Sequence, residues 1–246
     1  METKASSPQR SYKISFDQAV DLIFAFLSEF ELYNMATNEA IGGVLHKSSL
    51  ETMKKSDVYY GCMSWFCRNT DINNNFPGFF LAFEDGEYDI ENVPNVPKNE
   101  KLVYSSHSIL YKQNSVSKRE VSDFLKNGLS ISPDPAKVLD KSDCVRILSQ
   151  VALDKSGKSY NKYYCSFFEN KGFTSYEFSD LLNDPQTEYI AYLFGYDDST
   201  QFYKDTNRVR VILMGLTANG KPIALQESIN SSSSILQHSW PPPPNS

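Results

Sequence analysis

Apolar residues recur at helical spacing near the start of the chain: Phe16, Val20, Ile23, Phe24, Leu27 and Phe30 form one stripe. Asp17, Gln18, Asp21 and Glu29 occupy the other side, and Ser15 with Gln18 stands in capping-box spacing at the start. The pattern predicts an amphipathic helix over 16–30 that packs on a sheet or a second helix. Residues 38–56 carry no clean period and read as helical or irregular. Gly42 and Gly43 weaken any helix through that point. Ser48 and Glu51 offer another cap, with Leu50 and Met53 inward.

The pattern then turns strand-like. Val58–Cys67 is rich in aromatics, and Phe79–Phe83 is a short apolar run. The Asn/Pro-Gly cluster over 71–78 between them predicts a hairpin. An acidic loop is expected over Glu84–Glu91, followed by a Pro/Asn stretch and a third strand at Leu102–Tyr111. Residues 112–117 read as a boundary between two lobes, 1–112 and 113–225. The second lobe opens on a helix with Ser117 and Glu120 as its cap, Val121, Phe124 and Leu125 inward and Gly128 at its end. Residues 137–152 fit helix or strand equally well. Thr174 and Glu177 mark a short helix to about Leu182. Tyr189–Tyr196 and Arg208–Leu216 are the best strand signals, and Asn219-Gly220 beyond them is a hairpin-type turn leading into Pro222–Leu225. Residues 226–246 read as a Ser-rich linker and a proline tail. Tyr59–Phe66 loosely resembles Tyr163–Phe168, but the gaps differ and coincidence in a Tyr/Phe-rich chain explains it. The fold class expected is α+β: a largely antiparallel sheet, or two small sheets, covered by a few amphipathic helices, with a proline-rich C-terminal tail.

Composition narrows the function. The 246 residues are 40% hydrophobic and 22% charged, a globular composition that can bury a core without disulfides or metals. A net charge of −6, with lysine far outnumbering arginine, argues against nucleic acid and against anionic membranes as partners. Residues 1–15 lack a secretory pattern, and Leu22–Leu27, the longest apolar run, is too short to cross a bilayer. Cys62, Cys67, Cys144 and Cys165 form no C-x-x-C pair and read as buried free thiols of a cytoplasmic protein.

Candidate chemistry is sparse. Ala152–Ser159 fits a relaxed phosphate loop, with Gly157 shaping the turn, Lys158 reaching outer phosphates and Ser159 binding magnesium. That motif requires a buried strand before it and a helix after it. Tyr160, Tyr163, Tyr164, Phe167 and Phe168 supply helical spacing for the latter, while a polar turn is the plainer reading. His46, His107 and His238 show no metal spacing, and Asp71-x-Asn73-x-Asn75 fails as a calcium loop at Phe76 and Ala82. No metal or cofactor is expected. Cys62 and Cys67 should point to opposite faces of one strand. Trp240, Pro241 and Pro242 resemble the aromatic-plus-polyproline ligands taken by grooves of the EVH1 type. The expected function is non-catalytic: binding of another protein, of partner, inhibitor or immunity type, through a Tyr/Phe-rich sheet surface. The alternative is a phosphate- or nucleotide-handling enzyme at 152–159.

Overall fold

A computed structural model describes residues 11–29, 40–51, 60–69, 78–87, 96–112, 115–133, 136–154, 165–169, 178–197, 208–225 and 235–238. The expected α+β class holds: two antiparallel sheets stack face to face, with helices on their outer faces.

In chain order the elements are β1 (Ser11–Lys13), α1 (Phe16–Glu29), β2 (Ala40–His46), β3 (Tyr60–Arg68), β4 (Phe79–Glu87), β5 (Lys101–Ser105) and β6 (Ser108–Leu110). There follow α2 (Lys118–Lys126), β7 (Ala136–Asp140), α3 (Lys141–Asp154), β8 (Cys165–Glu169), α4 (Phe178–Asn183), β9 (Tyr189–Asp197), β10 (Arg208–Leu216) and β11 (Ile235–His238). The first sheet runs β1-β11-β10-β9-β2-β6 and the second β7-β5-β4-β3-β8. Each sheet therefore mixes strands from both sides of residues 112–117, and that segment does not separate two sheets.

Strand alternation sorts the side chains into three layers. Phe66, Leu81, Phe83 and Phe168 of the second sheet meet Tyr192, Phe194, Val211 and Leu213 of the first in the central layer. Ala191, Leu193, Ile212 and Met214 face outward beneath α1 and α2, meeting Ile23, Leu27, Val121 and Leu125. Met63, Trp65, Phe80 and Ala82 face α3, which contributes Cys144, Ile147 and Leu148. Both sheets are buried on both faces. Their strands consequently read as continuous apolar runs rather than alternating ones.

Helices α1 and α2 begin where their caps predict. The Gln18 N–H donates to Ser15 Oγ at 3.2 Å and the Ser15 N–H to Gln18 Oε1 at 2.8 Å. Ser117 Oγ accepts from the Glu120 N–H and donates to the Glu120 carboxylate. This bond and a second from Ser115 hold the Glu120 pKa below the usual carboxylate range.

Five expectations are corrected. Residues 40–46, read as helical or irregular, are strand β2. Its glycines face β9, where a Cβ on Gly42 would stand 2.0 Å from the Tyr192 carbonyl oxygen. The expected acidic loop begins as strand, since β4 runs through Glu87. The single strand at Leu102–Tyr111 is two strands in different sheets, with Ser106 and His107 at the crossing. The Ser105 hydroxyl bonds the carbonyls of Val44 and His107 there, fixing the corner. Of the helical spacing read after the phosphate loop, Phe167 and Phe168 lie instead in strand β8, paired antiparallel to β3, while Tyr160, Tyr163 and Tyr164 lie outside the described residues. Finally, residues 235–238, read as part of a linker, form strand β11 between β1 and β10. The ambiguous 137–152 segment resolves into both states, β7 passing into α3 without a loop.

Candidate functional site

Gly157, Lys158 and Ser159 lie outside the described residues, as do Trp240, Pro241 and Pro242. The phosphate-loop pattern nevertheless loses its context. Ala152, Leu153 and Asp154 end helix α3 where a buried strand is needed, and both sheets are antiparallel throughout their described pairings. The Asp71–Asn75 run, which fails as a calcium loop by its sequence, also lies outside the described residues, and among those described no cluster of three metal-ligating side chains occurs.

Of the tyrosines whose side chains are described, Tyr189 is half-buried and the others lie in the core rather than on a sheet surface. Tyr104, Tyr111, Tyr192 and Tyr196 are all buried, and Tyr192 is only 1% exposed. Gly43, directly opposite Tyr192 on β2, leaves room for its ring. The Tyr192 hydroxyl crosses the gap between the sheets and accepts from the Leu81 N–H at 3.4 Å. Burial pushes its pKa up. Phe194 beside it stacks against Phe79 at 4.4 Å and Phe26 at 5.7 Å. These rings fill the central layer and offer no surface to a ligand.

Two polar groupings emerge that spacing alone does not reveal. The first joins His46, Ser48 and Glu188. The Ser48 N–H points at His46 Nδ1 (3.3 Å), so that nitrogen carries the lone pair and also accepts from Ser48 Oγ at 2.7 Å. The opposite ring nitrogen then donates to Glu188 Oε1 at 3.0 Å. The Tyr189 ring stands edge-on at 5.2 Å. Every hydrogen bond in the set closes the short 3₁₀ turn at Lys47–Ser49 or ties it to the start of β9, so the group acts as a cap.

The second is Glu84, 4% exposed on the α3 side of β4. Its oxygens accept from Trp65 Nε1 (2.9 Å) and from the backbone N–H groups of Lys98 and Asn99 (2.7–3.1 Å). A buried carboxylate held by three donors anchors the 96–100 segment to the sheet.

The exposed feature is β7, the last strand of the second sheet. Leu139 turns under α3, but Val138 on the opposite side is 64% exposed. Ala136, two residues earlier on that side, packs at the rim of the central layer, and Val103 pairs with Val138 from β5. Lys137 and Asp140 flank this apolar rim, with Asp140 ion-paired to Lys101. Nothing in the sequence of 136–140 separates the buried Leu139 from the exposed Val138, because two adjacent apolar residues satisfy a strand or a helix equally.

No protein-family model, curated protein or solved structure matches the chain. No described helix is long and apolar enough to cross a membrane.

Proposed function

We propose that the chain is a non-catalytic protein-binding domain, of partner, inhibitor or immunity type, that engages its partner along β7. The supporting observation is Val138, a branched apolar side chain left 64% exposed in the middle of the strand that ends the second sheet. Sheet-edge strands offer backbone groups and alternate side chains to an added strand, so the fitting partner segment is an extended peptide. An apolar residue in that segment would cover Val138, Ala136 and Val103 together. The burial of Tyr104, Tyr111, Tyr192 and Tyr196 supports the edge, rather than the sheet faces, as the recognition surface.

The test uses the full chain and a Val138→Arg variant, whose thermal unfolding should match the parent because the side chain is exposed. A partner recovered with the parent and lost with the variant, and protecting 136–140 from hydrogen exchange, supports the proposal. A partner retained equally by both, or no partner recovered, refutes it.

A further inference from the structure

Cys67 lies on β3, the strand between β4 and β8, and its side chain points toward α3. Cys144 stands on the first turns of α3 and points back. Their sulfurs are 3.9 Å apart across this packing interface, and both side chains are fully buried. The Cys67 S–H donates to the Trp65 carbonyl at 3.5 Å. The Cys67 sulfur lone pairs are thereby left facing Cys144, whose own S–H can donate to them.

Cys62 does not compete, and Cys165, which shares this layer, is told apart by the linked peptide on mapping. Cys62 sits on the opposite face of β3, in the central layer, separated from Cys67 by the sheet itself. Cys165 sits on β8, directly across from Trp65. Closing 3.9 Å to the bond length of about 2.05 Å requires a small approach by one partner. Cys67 is held in the β3–β4 ladder opposite Phe80, so α3 supplies it.

We propose that Cys67 and Cys144 are a reversible disulfide pair that staples α3 to the second sheet under oxidising conditions. The two thiols together give up two protons and two electrons, and an S–S bond replaces two S–H bonds. With an azodicarboxamide such as diamide as oxidant, one thiolate adds to the N=N bond. The second thiolate displaces the resulting hydrazine, which carries away both electrons and, with solvent, both protons. Burial and the neighbouring thiol raise the Cys67 pKa. The pair is therefore unreactive until α3 lifts from the sheet, and oxidation traps the helix on its return. The bond would close a loop between residues 77 positions apart, which restricts the unfolded chain strongly.

The experiment treats the native full chain with diamide, then denatures it and alkylates the free thiols. Two alkylated cysteines, Cys62 and Cys165, are expected, with a Cys67–Cys144 linked peptide on mapping. The oxidised chain should melt about 8–16 °C higher, and dithiothreitol should reverse the change. Oxidation should quicken about tenfold per pH unit between pH 7 and 8. Cys144→Ser should leave three alkylated thiols under the same treatment. Four alkylated thiols in the treated parent, a different linked pair, or linkage only after denaturant is added would overturn the proposal.

Discussion

Replacing Glu84 by glutamine changes almost no volume and isolates one effect. Both carboxylate oxygens accept, and the three donors are Trp65 Nε1–H, Lys98 N–H and Asn99 N–H. A glutamine amide has one accepting oxygen and one donating nitrogen. With its oxygen toward Trp65 and Lys98, the NH₂ group confronts the Asn99 N–H at the position of a 2.7 Å bond. Flipped, it confronts Trp65 and Lys98 instead. Either way one or two buried donors lose their acceptor, at about 1–3 kcal/mol each, and the surviving bonds lose their charge assistance. Burying a neutral amide costs less than burying a carboxylate, which returns part of that. The net loss is about 3 kcal/mol, which for a chain of this size lowers the melting temperature by about 6–12 °C. Differential scanning calorimetry measures it, and Glu100→Gln serves as the control because its side chain is 86% exposed. A Glu84→Gln midpoint within about 2 °C of the parent would refute the assignment of Glu84 as the clamp on residues 96–100.

Gly43→Ala should destabilise by about 1–3 kcal/mol in urea titration, because its Cβ would fall 2.5 Å from the Tyr192 hydroxyl and 2.7 Å from its ring. An unchanged urea midpoint would count against the close packing of β2 on that ring. Burial pushes the Tyr111 pKa up to about 12, so the folded chain keeps a proton that the unfolded chain releases near pH 10. Between those values the unfolded state binds fewer protons, so stability falls as pH rises, and Tyr111→Phe should flatten that decline in pH-dependent melting. ATP with magnesium should leave the melting temperature of the parent and of Lys158→Ala alike, since a helix stands where the phosphate loop needs a strand. A shift in the parent that Lys158→Ala abolishes would restore the nucleotide reading.

Local chemistry was legible in the sequence. The capping boxes at Ser15 and Ser117 begin α1 and α2 because a side chain three residues away satisfies each orphan N–H. The strands β9 and β10 and the split of Cys62 from Cys67 followed from apolar runs and from the two-residue period of a strand. Where a residue's state depends on partners far along the chain, the sequence was silent. Gly42 and Gly43 looked like helix breakers, and only the Tyr192 ring and backbone across the ladder explain them as strand. Ile235–His238 looked like linker, because a four-residue strand carries little pattern of its own and gains its order from β1 and β10. The aromatics could be counted, but their side could not be assigned. Sheets covered on both faces erase the alternation that would have marked an outside. Tertiary stacking alone decided that Tyr192 and Tyr196 fill the layer between the sheets, that Cys67 meets Cys144, and that Val138 is left at the edge.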